Sequence, residues 1–169
     1  MIISIDPGLN HCGFAVWSAH KNMIFAGLSK NPSIKTIARP ERWCAGAGAL
    51  VRKVMGLSEI TDFTQSLAIV IEIPVVRQRG SGKGDPNDLI DVAGVAAACV
   101  QAFKNTIGTH VAWAPRPEEW KGQAPKSVTE LRVKEKLSAN ERKMIEPVNP
   151  GVMHNVYDAI HLGLVFLKR

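Results

Sequence analysis

The sequence predicts an α/β protein built on one mixed five-stranded sheet, antiparallel at one side and parallel at the other, with helices on both faces. Two observations lead to this class. Three short apolar runs follow one another near the start of the chain, too closely spaced for helical crossovers, which predicts an antiparallel meander. Two later apolar runs alternate with long helical patterns, which is typical of parallel strands.

The first half of the chain should contain three meander strands and one helix. Turn residues separate the runs, and the two glycines of the helical stretch weaken its helix propensity. The expected elements are strands at Met1–Ile5, Phe14–Ser18 and Met23–Leu28 and a helix from about Glu41 to Gly56.

The second half should supply two buried strands and the remaining helices. The helix after the first of these strands is apolar nearly all round, which places it between layers or at a subunit contact. The expected elements are a central strand at Leu67–Ile73, a helix at Pro86–Phe103, a strand at Thr109–Ala114, a basic amphipathic segment at Pro125–Leu137, an irregular stretch at Glu141–Pro150 and a closing helix at Met153–Leu167.

Composition sets the class of molecule but not its activity. The 169 residues suit a single domain, 1–169, and 46% hydrophobic with 21% charged residues excludes a disordered or collagen-like chain. The uncharged run Val92–Phe103 is too short to span a bilayer, and the N-terminus lacks a signal-peptide pattern. We therefore expect a cytoplasmic protein without membrane partners. A formal net charge of +6 points weakly toward polyanions.

Three cysteines, Cys12, Cys44 and Cys99, lie far apart in the sequence and form no zinc-binding spacing. Their odd number and their scatter favour buried thiols in a reducing compartment over disulfides or a zinc site.

Three acidic residues stand where a folded core would not favour them. Asp6 ends the first strand, Glu72 ends the fourth, and Asp158 lies within the apolar closing helix. An ionised carboxylate in a core costs several kcal/mol unless it is paired or bound to a cation. If the first and fourth strands are neighbours, the three carboxylates converge on a hard oxygen site for Mg²⁺ or Mn²⁺, and two such ions can clamp both oxygens of a phosphodiester.

Each acid also has an ordinary structural interpretation. Asp6 in Asp-Pro-Gly is a common turn residue, and Glu72 near Pro74 can sit at an exposed strand end. Asp158 can pair with His154 one helical turn earlier. Only the three acids together, at these positions, indicate a metal site.

Four motifs carry a family resemblance over nearly the whole chain: IDPGLNHCGFAV at Ile5–Val16, IVIEIP at Ile69–Pro74, DVAGVAAAC at Asp91–Cys99 and HNVYDAIHLGL at His154–Leu164. On these motifs, and on PEEWKGQAPK at Pro117–Lys126, the chain resembles the RuvC-type Holliday junction resolvases of the RNase H-like (retroviral integrase) superfamily, particularly their small phage relatives. The resemblance implies an RNase H-like fold and a metal-dependent endonuclease. Such an enzyme resolves four-way junctions by symmetric phosphodiester hydrolysis.

Position by position, the resemblance makes Asp6, Glu72 and Asp158 the metal-binding carboxylates of Mg²⁺ or Mn²⁺, with two ions per site. A fourth family position, an Asp or His three residues before the last Asp, is Asn155 here, and a histidine stands one residue earlier. We favour His154 as the fourth catalytic residue because an imidazole titrates near neutral pH. His161 has no counterpart and is interpreted as a packing residue.

Basic residues suggest where DNA binds. Arg77, Arg79 and Lys83 form a basic loop next to Glu72, either a phosphate-binding arm or a merely solvated loop. The loop is not a nucleotide-binding P-loop, because Arg77 and Gly84 occupy positions where that motif needs glycine and Ser or Thr; no nucleotide cofactor is expected. Lys121 and Lys126, from a second basic group, are also assigned to DNA.

Three function classes remain open from the sequence. The first is a junction-resolving endonuclease that binds branched DNA. A junction needs two symmetric cuts, so this reading predicts a homodimer, with the helix near Asp88–Phe103 at the contact. The second is an RNase H-fold nuclease acting on RNA–DNA hybrids, and the third is a non-catalytic DNA-binding module of the same fold. Trp43, Trp113 and Trp120 can stack on bases, although isolated tryptophans more often pack in cores.

Overall fold

The computed structural model describes residues 1–31, 39–57, 60, 67–75, 86–122 and 125–169. Within these ranges the chain forms five strands and six helices. In order they are β1 (Ile2–Asp6), β2 (His11–Trp17), β3 (Met23–Lys30), α1 (Arg39–Met55), β4 (Ala68–Ile71), α2 (Pro86–Ile107), β5 (His110–Trp113), α3 (Pro117–Trp120), α4 (Lys126–Lys136), α5 (Ala139–Lys143) and α6 (Met153–Phe166).

The strands form one mixed sheet in the order β3-β2-β1-β4-β5. The pairs β1–β2 and β2–β3 are antiparallel, whereas β4 runs parallel to both β1 and β5. This arrangement confirms the predicted meander at one side and the parallel pair at the other. It also makes β1 and β4 neighbours, the condition on which the convergence of Asp6 and Glu72 depends.

Helices cover both faces of the sheet because successive strand side chains point to opposite sides. On one face, Ile3 and Ile5 of β1 and Phe14 of β2 pack in a core shared with α1 and α2. On the other face, Trp17 of β2 packs in a second core with α6 and with Leu137 at the end of α4. The predicted placement of helices on both faces is confirmed.

A polar cluster joins α1 to α2. The carboxylate of Asp91, which is only 4% exposed, accepts hydrogen bonds from Trp43 Nε1 at 3.0 Å and from Arg42 Nη2 at 3.2 Å. Gly94 lies one turn further along α2, and a Cβ added there would lie 2.4 Å from the ring of Trp43. A glycine is required at this position because the indole packs directly on the helix backbone.

The closing helix α6 lies close against the sheet because two glycines admit it. A Cβ on Gly13 of β2 would lie 2.0 Å from the backbone oxygen of Asn155, and one on Gly163 would lie 2.4 Å from the indole of Trp17. The predicted apolar stripe of α6 is confirmed, since Ile160, Leu164 and Leu167 are buried.

Several sequence predictions need correction. The stretch expected to be irregular from Glu141 includes most of α5, whose Ser138 N-cap accepts from the backbone N–H of Glu141. Of the three cysteines predicted to be buried, Cys12 and Cys99 are, but Cys44 is exposed on α1. Within the described ranges, each helix is too short or too polar to span a bilayer.

Candidate active site

The parallel pairing of β1 with β4 places Asp6 beside Glu72. Ile5 is in register with Ile71, and the backbone N–H of Glu72 donates to the carbonyl of Ile5 at 3.2 Å, so the pairing continues past the end of β4. Alternation along each strand then decides the direction of the side chains. Because Ile5 and Ile71 face the α1–α2 core, Asp6 and Glu72 turn to the opposite face, which α6 covers.

Asp158 reaches this same point from α6, whose first turn lies over Gly13, the register partner of Asp6. Its carboxylate is almost fully buried, with a side-chain exposure of 11%, and that of Glu72 is 14%. The structure therefore brings together the three acids that the sequence singled out, one from each of two adjacent strands and one from the helix above them.

A lysine completes the cluster. Lys121, in the turn after α3, places its Nζ 3.4 Å from Glu72 Oε2 and 3.2 Å from Asp158 Oδ2. The ammonium thus bridges two of the three carboxylates. Lys121 was predicted to contact DNA phosphates; its place within the carboxylate cluster follows from tertiary packing and has no signal in the sequence.

Trp120 contacts the same carboxylate oxygen of Glu72 as Lys121 does. Its indole Nε1 donates to Glu72 Oε2 at 3.0 Å, and Lys121 Nζ lies 4.7 Å from the centre of its ring. His161 of α6 packs against the ring edge-on, with centroids 5.3 Å apart. From the sequence, Trp120 was expected either to stack on DNA bases or to pack in the core. Its contact with Glu72 arises from tertiary packing and leaves no pattern along the chain.

The electrostatics of the cluster reflect an excess of negative charge. Burial, reinforced by the charges of Glu72 and Asp158, holds the pKa of Asp6 well above its usual range. Burial also raises the pKa of Glu72, although the nearby ammonium opposes it. Burial alone would lower the pKa of Lys121, but the carboxylates outweigh it and the pKa is raised. One ammonium faces three carboxylates.

The donor set suits a hard divalent cation, since carboxylate oxygens are the ligands that Mg²⁺ and Mn²⁺ prefer. In the described part of the chain, no three His, Cys, Asp or Glu side chains are gathered closely enough to enclose a metal ion. Lys121 accounts for part of this spacing, because its ammonium occupies the place between Glu72 and Asp158. The three carboxylates face only one ammonium, that of Lys121, so a net negative charge remains that a metal ion can balance.

The two candidates for the fourth position both lie in the first turn of α6. His154 is half-buried one turn before Asp158, whereas Asn155 contributes its backbone oxygen to the contact over Gly13. The preference for His154 stays a prediction. His161 is 5% exposed, and burial lowers its pKa, so the ring is neutral near pH 7, as suits a packing residue.

The remaining predicted DNA contacts lie largely outside the described residues. Arg77, Arg79 and Lys83 fall in the undescribed range 76–85, and Lys126 begins α4 with a side chain that is not described. The tryptophans favour packing over base stacking. Trp43 donates to Asp91, and Trp113 stacks on Phe166 with ring centroids 6.0 Å apart.

Solved structures with the same fold come from Thermus thermophilus. The structure described as T. thermophilus RuvC in complex with Holliday junction substrate matches 97% of this chain and 90% of its own, with a TM-score of 0.63 and 20% identity. A Thermus thermophilus RuvC structure matches 97% of this chain and 91% of its own, with a TM-score of 0.58 and 20% identity. No protein-family model and no curated protein matches the sequence. The likeness confirms the RuvC-like, RNase H-like fold.

Proposed function

We propose that the protein is a metal-dependent endonuclease that resolves four-way DNA junctions by symmetric cuts. The observation that carries the proposal is the convergence of Asp6, Glu72 and Asp158 on the face of the sheet under α6. Burying three carboxylates together costs stability, and a protein gains nothing structural from it that apolar residues would not supply. A bound metal ion would offset this cost, and we therefore assign the cluster to cation binding.

The substrate assignment draws on the fold. One of the matching structures is a complex of RuvC with Holliday junction substrate, and this chain has the same architecture over 97% of its length. The chain also carries a formal net charge of +6 despite its acidic cluster, which suits a phosphate-rich ligand. We therefore assign the same class of substrate, branched DNA, to this protein.

In the proposed reaction the chain's own groups position the reactants. Asp6, Glu72 and Asp158 would hold Mg²⁺ or Mn²⁺, two ions per site, and the bound ions would supply Lewis-acid chemistry for in-line hydrolysis of a phosphodiester. Trp120 orients Glu72 through its indole N–H, and His154 moves a proton at the first turn of α6. With the carboxylates engaged by metal, Lys121 would be free to pair with a phosphate oxygen of the DNA, which keeps its predicted role as a DNA contact.

Two cuts require two sites, so we propose a homodimer formed through α2. One side of this helix is uncovered: Ile90 is 55% exposed, and Ala93 and Ala97 are exposed beside it. These alanines border an apolar hollow of about 240 Å³ against Ile73 and Val111. Small residues let a second backbone approach closely, and a second copy of the same face is the symmetric occupant that a symmetric junction calls for.

The test is cleavage of three end-labelled substrates, with and without Mg²⁺: a four-way junction, the matching linear duplex and an RNA–DNA hybrid. We expect paired cuts on the junction, only with the cation, and intact duplex. Cutting of the hybrid instead would assign the protein to hybrid-specific nucleases. Tight junction binding without any cutting in Mg²⁺ or Mn²⁺ would make it a non-catalytic binding module, and either outcome overturns the proposal.

A further inference from the structure

A second hollow lies beside the carboxylate cluster, on the other side of the first turns of α6. Its volume is about 340 Å³, within the range of small-ligand sites. Its walls combine apolar surface with two cations; it is lined by Lys134, Arg142, Ile145, Glu146, Pro147, Met153 and Tyr157. Nothing in the proposed cleavage reaction uses these residues.

The register of the sheet fixes how far this hollow is from the cluster. Asp6 pairs with Gly13, and Gly13 pairs with Leu28, whose backbone N–H donates to Glu146 Oε2 at 3.1 Å. Adjacent strands are about 4.8 Å apart, so Leu28 is about 10 Å from the backbone of Asp6, and the Glu146 carboxylate lies one hydrogen bond further out. On α6, Tyr157 lines the hollow and the next residue, Asp158, belongs to the cluster.

The charge of the hollow favours an anion. Its single carboxylate, Glu146, is neutralised by Lys53, whose Nζ donates to both oxygens at 2.7 and 2.6 Å. Lys134 pairs with Glu130 at 2.6 Å on the solvent side. Arg142 donates from Nη1 to the carbonyl of Lys134 at 2.9 Å, and in the described part of the chain no carboxylate pairs with it. A guanidinium with donors to spare at the rim of a hollow is well suited to a phosphate.

The floor of the hollow is suited to a flat apolar group. Tyr157 is only 9% exposed, and Met153 and Ile145 lie against the same core. A methionine thioether adapts to irregular and aromatic partners. Edge pairing closes the bottom, because the backbone N–H of Glu146 donates to the carbonyl of Ala26 at 2.8 Å and fixes this segment beside β3.

We infer that this hollow is a nucleotide subsite, which takes one base of the bound DNA against Met153 and Tyr157 while Arg142 and Lys134 hold its 5′-phosphate. The inference rests on the proposed function for the origin of the nucleotide, a strand whose scissile phosphate lies at the carboxylate cluster. A base held in this hollow, close to the site of cutting, makes cleavage depend on the sequence at one position flanking the junction.

The first test is direct binding, which does not depend on cleavage. Methyl groups of the methionines are ¹³C-labelled in the full chain and followed by NMR during titration with the four deoxynucleoside 5′-monophosphates. We expect the Met153 methyl to shift with a dissociation constant in the millimolar range, while Met23, in the core, does not move. Separate titrations with deoxynucleosides and with inorganic phosphate should bind at least about fivefold more weakly, since each offers half of the ligand.

Arg142→Gln should weaken the nucleotide shift about fivefold or more, and Lys143→Gln, its exposed neighbour outside the hollow, serves as the matched control. An unmoved Met153 methyl at saturating junction and at millimolar nucleotide overturns the subsite. Equal binding of phosphate and nucleotide overturns the base contact and leaves an anion site only.

The second test uses junctions randomised at the positions flanking the cut. The wild-type protein should prefer certain bases at one position, and Arg142→Gln should flatten that preference more strongly than it lowers the overall rate of junction cleavage. Failure of the two proposals is distinguishable. A protein that shifts at Met153 but cuts no junction contradicts the proposed function, whereas one that cuts junctions with identical base preference in both variants contradicts the subsite.

Discussion

The carboxylates give the sharpest prediction at the scale of single residues. Asp6→Asn, Glu72→Gln and Asp158→Asn each remove one negative charge at nearly constant volume. Junction cleavage should fall at least about a hundredfold in each, because the cation loses a ligand. Junction binding should persist or improve, since repulsion toward the DNA backbone decreases. Cleavage is measured in Mg²⁺ and binding in Ca²⁺, which separates the two effects. Glu135→Gln, on the exposed face of α4, is the control.

Native cleavage by Asp158→Asn would contradict the three-carboxylate site. His154→Ala should reduce cleavage less and change its pH dependence, and Asn155→Ala should matter least if the imidazole fills the fourth position. The reverse order would move that assignment to Asn155.

The position of Lys121 leads to a prediction of how divalent metal ions affect the stability of the protein. Lys121→Met removes the only ammonium described between Glu72 and Asp158, which leaves their repulsion uncompensated. Without divalent ions the variant should lose about 1–3 kcal/mol of stability, a fall in Tm of several degrees. With Mg²⁺ or Ca²⁺ its Tm should rise more than that of the wild-type protein, because the cation no longer has to displace the lysine.

Thermal unfolding with and without the ions measures this directly, and Lys143→Met provides a surface control. Equal gains in Tm on adding Mg²⁺ to the variant and to the wild-type protein would show that lysine and metal do not share the site.

At the scale of elements, the contact of α6 with β2 depends on the absence of one side chain. Gly13→Ala would place a Cβ 2.0 Å from the backbone oxygen of Asn155, so the first turn of α6 must move away from the sheet. We expect a loss of about 1–3 kcal/mol and a large loss of cleavage, because Asp158 moves with the helix. Chemical denaturation and the junction assay report the two consequences.

Gly48→Ala is the matched control. Its added Cβ would meet only the flexible end of Arg52 at 3.3 Å, inside α1, and alanine favours the helix. Stability should rise by about 0.5–1 kcal/mol with cleavage unchanged. Equal tolerance of the two substitutions would contradict the close packing of α6.

Glu141 connects three parts of the fold through contacts that we expect to be sensitive to acid. Its carboxylate accepts from Arg169 Nη1 at 2.6 Å, from the backbone N–H of Met23 at 2.9 Å and from that of Ser138 at 2.9 Å. The guanidinium above all lowers the pKa of Glu141 from 4.5 to about 2. The pKa of Glu141 is lower in the folded protein than in the unfolded chain, so its ionised carboxylate stabilises the folded state at pH values above the unfolded pKa. This contribution to stability is lost as pH falls from about 4.5 toward 2.

After allowance for solvent screening, the contribution is about 1–2 kcal/mol. Unfolding by urea at a series of pH values should show stability declining in that window, and Glu141→Gln should flatten the decline by removing the titrating group. An identical pH dependence of stability in the two proteins would contradict this role of Glu141.

The elements themselves were largely predictable, and the contacts of the site only in part. Alternation and β-branched runs mark the strands locally, and the acids of β1, β4 and α6 stand out because they interrupt apolar patterns. Lys121 and Trp120 leave no such signal, since their role follows from the packing of the short helix α3 against β4 and α6. The α5 helix was missed because its few residues are polar and are stabilised by Ser138 and Arg169 rather than by an apolar face.

At the scale of the whole molecule, the uncovered side of α2 predicts the assembly. Ala97→Glu would place a charge on the small-residue face beside Ile90 and Val111. The wild-type protein should be a dimer at tens of micromolar and the variant a monomer of unchanged fold, because burying an unpaired carboxylate at the contact is unfavourable. Light scattering and circular dichroism measure both properties. A monomeric wild-type protein that stays monomeric on junction DNA would contradict the dimer.

The cluster under α6 also has a consequence for biosynthesis. Its acids come from the first strand, a middle strand and the last helix, so Asp6 leaves the ribosome long before Asp158 is made. A fragment that ends before α6 holds only part of the carboxylate set. Under the proposed function, such a fragment lacks a complete site and should not cut DNA.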